Sequence, residues 1–284
     1  MRKRLYFMRM QTKYLLRHLK PINVKKVFFI LSTGRCGTKF VASALNLAPN
    51  ATVLHEPEPG CEFINPVAYS KFVKEKSSIT RIRVQDFLIL KLHATVYRDI
   101  NTEIFGDCYN SVYPFGIALF NYFSKQGIEV KFIHLIRHPT NCCSSILRAE
   151  GAYGIGIRKN FGLRASLLRN TDSSAEIASN IWIKINELIQ YQMNYIESKK
   201  PNSTRLIKID DLKSKEDFFP VYNWLGMELP QFKELEKIIT SQDDNIKHSH
   251  QKRLDILNIP SITEEEVNII KQKTLPYLSK YSYC

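Results

Sequence analysis

The sequence predicts an α/β fold, a single domain built on a parallel β-sheet flanked by helices. Three observations predict it. Apolar runs recur along the chain, each beside a helical pattern. The first of these runs ends in a glycine-bearing turn that leads straight into a helix. No internal repeat and no Pro/Gly/Ser-rich linker divides the 284 residues, a length that fits one large α/β domain. At 44% hydrophobic and 24% charged residues, the composition excludes wholesale disorder, collagen and low-complexity architectures.

The elements follow in order. Residues 1–24 read as a basic N-terminal extension, MRKRLYFMRMQTKYLLRHLK at its start, ahead of a domain spanning 25–284. No apolar run reaches the ~18–20 residues of a membrane-spanning helix, and Arg9 interrupts the only short run near the start. Leu5, Met8, Leu15, Leu16 and Leu19 fit one side of a basic helix on a membrane surface. A solvated extension packed on its own domain fits them better. Val27–Leu31 is a continuous apolar run, the mark of a strand covered on both faces. Further runs at Phe87–Leu92, Val130–Ile136 and Leu206–Ile209 predict more strands. The longest helix is expected over Ser173–Glu197, opened by the capping box Ser173-Ser174-Ala175-Glu176 and carrying Ile177, Ile181, Ile185, Leu188 and Ile196 on one side. Before it, the Gly- and Arg-rich stretch Glu150–Asp172 reads as a mobile loop or short helices over one end of the sheet.

Six cysteines stand at 36, 61, 108, 142, 143 and 284, without a C-x-x-C pair or a His spacing suited to zinc. They predict a reduced, intracellular, metal-free protein, cytoplasmic in location. Lys plus Arg number 41 against 27 Asp plus Glu, a net charge of +14 that calls for an anionic partner. Charge alone does not choose among nucleic acid, membrane and phosphorylated small molecule.

The motifs do choose. After the first strand comes Gly34-Arg35-Cys36-Gly37-Thr38-Lys39-Phe40. Two glycines let the backbone wrap closely, the N–H groups opening the next helix point at an anion, and Arg35, Lys39 and the Thr38 hydroxyl add donors. A nucleoside triphosphatase would need G-x-x-x-x-G-K-[ST] and an Asp ending a neighbouring strand to hold Mg²⁺. Here the order is Gly-Thr-Lys, and the other obvious strand ends in Arg137. The loop therefore suits a donor whose transfer needs no metal.

The segment FFILSTGRCGTKFVASAL resembles the 5′-phosphosulfate loop of sulfotransferases that use 3′-phosphoadenosine 5′-phosphosulfate (PAPS), roughly P-[KR]-S-G-T-[TS]-[WL]. Arg35, Gly37, Thr38 and Phe40 fall on its positions, while Cys36 replaces Ser and Lys39 replaces Thr or Ser. The strand VKFIHLIR running into Arg137-His138-Pro139 resembles the family's 3′-phosphate element, an Arg followed eight positions later by a Ser, here Ser145. The resemblance covers about residues 25–284 and implies a P-loop-NTPase-like sheet. It also implies that Arg35, Cys36, Gly37, Thr38, Lys39 and Phe40 bind the 5′-phosphosulfate, and Arg137 and Ser145 the 3′-phosphate. LIKIDDL, the following FFPVYNWLGMELP and the terminal LPYLSKYSY resemble later elements of the family, with Ile209 where an aromatic is usual. Lys247, Lys252 and Arg253 fall where the family often has a basic closing loop. Trp182 reads as core rather than as an adenine stacker.

In-line sulfuryl transfer to a hydroxyl needs a base near the acceptor and cations near the bridging oxygen. Glu56, in Val53-Leu54-His55-Glu56-Pro57, stands 21 positions after Arg35 and resembles the base of tyrosylprotein and carbohydrate sulfotransferases. His93, in Lys91-Leu92-His93, resembles the base of the cytosolic small-molecule enzymes, with Lys91 as the Lys aimed at the sulfonate. Glu56 is favoured, and His55 is read as orienting it. The expected activity is transfer from PAPS to a hydroxyl of a carbohydrate, lipid or small-molecule acceptor, without metal. A small-molecule kinase on a P-loop and a basic nucleic-acid-binding protein are the rivals. Against the second, the basic residues are spread along the chain rather than gathered in a binding motif.

Overall fold

A computed structural model describes residues 24–56, 101–108, 110–153, 173–241 and 262–283. Its frame is a five-stranded, all-parallel sheet in the order β2-β3-β1-β4-β5. The strands are β1 Lys26–Leu31, β2 Ala51–His55, β3 Ile104–Cys108, β4 Glu129–Ile136 and β5 Thr204–Lys208. Seven helices flank them among the described residues: α1 Thr38–Leu45, α2 Gly116–Lys125, α3 Pro139–Tyr153, α4 Ser174–Lys199, α5 Lys215–Leu225, α6 at 232–241 and α7 Glu264–Leu278. The expected α/β architecture is the observed one, a parallel sheet flanked by helices.

Coverage on both faces explains the apolar runs. Val27 through Leu31 are fully buried in β1, the central strand. Phe29 packs on Phe123 of α2 and Phe132 of β4, with ring centroids 5.6 and 5.5 Å apart. On the opposite side α1 covers β2 and β3, and α5 locks onto α1 through Tyr222, whose hydroxyl donates to the Ala44 carbonyl. The α4 capping box forms as read: Ser173 Oγ accepts from Glu176 N–H while Glu176 accepts from Ser173 N–H. Trp182, fully buried on α4, is core.

The observed elements differ from expectation at several points. β5 starts two residues earlier than the apolar run, and Ile209 opens a 3₁₀ turn instead of ending the strand. α3 continues through Tyr153, past the point where a loop was expected. β2, sequence ATVLH, was not expected, and neither was β3, sequence IFGDC. Its Gly106 faces the Phe28 ring so closely that a Cβ there would lie 2.2 Å from Phe28 Cζ. The aromatic ring of the neighbouring strand thus supplies the apolar surface that a β3 side chain would otherwise provide. The run Phe87–Leu92, the extension 1–23 and most of the Gly/Arg-rich stretch lie outside the described residues. No helix among the described residues is long and apolar enough to cross a membrane.

Candidate active site

Parallel strands bring their carboxyl ends to one edge of the sheet, where α/β folds bind ligands. At that edge lie the turn after β1, Glu56 after β2, Arg137 after β4 and Ile209 after β5. The turn after β1 is wound tightly. Gly34, Arg35 and Gly37 all take left-handed backbone, with φ of 79°, 59° and 80°. A tight turn of this kind can gather successive N–H groups around one concavity. α1 begins immediately afterwards, its first helical bond running from Val41 N–H to the Gly37 carbonyl. The N–H groups ahead of that bond have no intrahelical acceptor and carry the positive end of the helix dipole.

Beneath the turn lies a sulfur cluster. Thr33 Oγ1 contacts Cys36 Sγ at 3.1 Å and Cys142 Sγ at 3.3 Å, and the two sulfurs are 3.8 Å apart. Both thiols also reach the Gly34 carbonyl. Cys36 therefore turns its side chain into the core and offers the turn only its backbone. Its hydrogen bond with Cys142, and then burial, raise its pKa well above the ordinary thiol value. Phe40 likewise turns away and packs edge-on against Phe218. Lys39 is exposed.

Gly37 is required twice over. Its φ of 80° is strained for any L side chain, and a Cβ would come 3.0 Å from Ile209 Cγ1 and 3.1 Å from Cδ1. Gly37→Ala is expected to cost about 2 kcal/mol, combining left-handed strain with crowding. A thermal melt reads this as a Tm lowered by several degrees. A variant melting with the wild type would show that the turn adapts freely.

The two motifs expected to bind phosphate meet. Arg35 Nε donates to Ser145 Oγ at 3.1 Å, and Arg137 Nη1 donates to the Arg35 carbonyl at 3.2 Å. Residues more than 100 positions apart thus form one cationic cluster. Arg137 is itself braced, since its carbonyl accepts from Trp182 Nε1 at 3.0 Å. The next residue, His138, donates its backbone N–H to Asp210 Oδ2 at 2.8 Å. That oxygen also accepts from the Tyr283 hydroxyl at 3.0 Å, and the Tyr283 ring stands edge-on to His138. Burial, followed by the Asp210 charge, raises the Tyr283 pKa, so the phenol remains a donor. Asp210 was missed in the sequence. The second residue of the Asp pair in LIKIDDL stays on the surface, and only the fold shows that the first one staples β4, β5 and the C-terminal segment.

Glu56 lies at the same edge, exposed and at φ 51°, a left-handed backbone uncommon outside glycine. Its neighbour His55 does not hydrogen-bond it. Instead His55 Nε2 lies 3.2 Å from Thr38 Oγ1 at the start of α1. Lys91 and His93 lie outside the described residues. β3 carries an acidic residue that the sequence reading did not single out: Asp107, fully buried, one position before the strand's end and in register with Phe29 of β1. Among the described residues no three His, Cys, Asp or Glu side chains gather as a metal site would require.

A glycine-wound turn after the central strand, with Arg35 in the turn and Arg137 at the end of the neighbouring strand β4, makes a cationic concavity at this edge of the sheet. No protein-family model matches the chain, and no curated protein matches it in sequence. Three solved structures are similar to it. The sulfotransferase domain from the curacin biosynthetic pathway is 14% identical with a TM-score of 0.48, covering 89% of this chain and 98% of its own. The sulfotransferase domain of the Synechococcus PCC 7002 olefin synthase is 14% identical with a TM-score of 0.46, over 91% and 96%. A sulfotransferase from Alicyclobacillus acidocaldarius is 13% identical with a TM-score of 0.43, over 82% and 96%.

Proposed function

We propose that this chain is a PAPS-dependent sulfotransferase that moves a sulfuryl group to a hydroxyl of a carbohydrate or small-molecule acceptor. One observation carries the reading: the Arg35–Ser145–Arg137 cluster beside a loop wound to present N–H groups. A nucleotide with phosphates on both the 5′ and 3′ positions needs two cationic grips a few ångströms apart, and the cluster has that composition. In this reading Arg35, Gly37, Thr38 and the backbone of Cys36, Lys39 and Phe40 hold the 5′-phosphosulfate. Arg137 and Ser145 take the 3′-phosphate. PAPS supplies the activated sulfuryl group. Glu56, or alternatively His93, takes the acceptor proton, and Arg35 with Lys91 offsets charge on the leaving phosphate. The domain covers 25–284, the basic extension 1–24 precedes it, and an intracellular location fits the four free cysteines of the described residues.

Asp107 favours a second reading, Mg²⁺-dependent phosphoryl transfer, because it lies on the strand beside the anion loop. One titration separates the two. Isothermal calorimetry without added metal should show 3′-phosphoadenosine 5′-phosphate binding at least about 30-fold tighter than AMP, the worth of one charge-assisted phosphate grip. Equal affinities would remove the sulfotransferase reading. ATP binding that appears only with Mg²⁺ would install the kinase in its place.

A further inference from the structure

We propose that His55 is a positioning residue of the anion loop: its Nε2–H donates to Thr38 Oγ1 and leaves the Thr38 hydroxyl proton aimed at the bound anion. The inference rests on the reading of that loop as the 5′-phosphosulfate site.

Thr38 is the first residue of α1, only 7% exposed, and its hydroxyl has one proton to give. The partner the structure gives that hydroxyl is His55 Nε2, 3.2 Å away. Two arrangements satisfy this distance, and they have opposite consequences. If Thr38 donates to His55, its oxygen lone pairs face the concavity and repel an anion. If His55 donates to Thr38, the Thr38 proton is left over and completes the ring of donors around the anion, which can only accept. The neutral imidazole carries one N–H, so its tautomer decides between them. Burial holds the His55 pKa below its ordinary value, Glu56 opposes this, and Lys39 adds to it, so the ring is neutral near pH 7.

Both partners sit on rigid elements. His55 is the last residue of β2, in register with Cys108 of β3. The α1 cap residue Asn46 accepts the Val53 N–H at 2.7 Å and fastens β2 to the end of that helix. The His55–Thr38 contact is therefore a strand-to-helix bridge rather than a meeting of two mobile side chains. It gives His55 a role that its sequence position beside Glu56 did not suggest.

Two measurements on the full chain test this. In protein labelled with ¹⁵N-histidine, the His55 ring shifts should report the Nε2–H tautomer with and without 3′-phosphoadenosine 5′-phosphate. An Nδ1–H tautomer overturns the proposal. This readout needs no ligand, so it decides the His55–Thr38 pairing even if the nucleotide fails to bind and the sulfotransferase reading falls. The second is a double-mutant cycle in nucleotide affinity. Thr38→Val and His55→Phe are each expected to weaken binding about 10-fold, the scale of one hydrogen bond to a charged group. The double variant should lose about 10-fold rather than about 100-fold, because both changes remove the same donor. His55→Gln, which can donate from a similar position, should recover to within about threefold, and its Tm should match that of His55→Phe. Multiplying losses, a His55→Phe affinity within twofold of wild type, or no rescue by Gln would each overturn the assignment.

Discussion

Arg137→Ala is expected to weaken binding of 3′-phosphoadenosine 5′-phosphate by at least about 100-fold, close to 3 kcal/mol, while AMP affinity changes by less than about fivefold. The asymmetry follows from geometry. Arg137 brings a planar fork of donors to the cluster and steadies Arg35 through its carbonyl. Under the sulfotransferase proposal the change removes a phosphate grip together with a brace. Arg35→Ala should differ in kind, lowering the affinity for both nucleotides, because in the proposed reading Arg35 belongs to the loop that takes the 5′ group. Calorimetric titration of both variants with both nucleotides checks this. Equal losses toward the two nucleotides in Arg137→Ala would place that residue outside the 3′ grip, and unchanged affinity in both variants would leave the sulfotransferase proposal without support.

The second large effect is a loss of stability in acid that originates at one residue. His134 lies on β4, fully buried, with Nε2 2.9 Å from Asn186 Oδ1. Asn186 uses its own amide N–H to reach the Trp182 carbonyl, so its oxygen accepts and His134 donates. The other ring nitrogen accepts no hydrogen bond among the described residues. Burial pushes the His134 pKa down to about 4 from 6.5, partly offset by the Asn186 bond and deepened by Lys280. The unfolded chain therefore binds a proton near pH 6.5 that the native state refuses until about pH 4. This contribution to stability is complete above pH 6.5 and disappears as pH falls toward 4. It amounts to about 3 kcal/mol. Urea unfolding at pH 7.5 and pH 4.5 should show the wild type losing about that much more than His134→Gln, whose amide stays neutral at both. Parallel losses in the two proteins would mean that carboxylates, not this histidine, govern acid unfolding.

What could be read from the sequence follows from where the physics is local. β1 and β4 were legible because burial on both faces demands an unbroken apolar run. The start of α4 was legible because a capping box is written in four consecutive residues, and Pro139 at the start of α3 fits the position where its missing N–H is harmless. β3 was not legible, since its stability comes from Phe28 lying over Gly106 and from strands on both sides. Within the site, Arg35 and Arg137 were found by motif, each beside its own strand. Their meeting across Ser145 was not, because it depends on β1 and β4 being neighbours and on α3 running back over the loop. His55 illustrates the same limit. Sequence adjacency ties it to Glu56, whereas the ending of β2 turns its ring toward Thr38.

The sulfur pair under the loop makes the protein its own reporter. Cys36 and Cys142 have no exposed surface, and the Cys36 thiol is held protonated, so a thiol reagent must wait for the turn above to lift. The alkylation rate at Cys36 is then a clock on that opening, which runs slower the more of the time an anion clamps the turn. Peptide mapping by mass spectrometry would single out Cys36 from the other thiols. Loop occupancy could then be ranked across nucleotides before any acceptor is known.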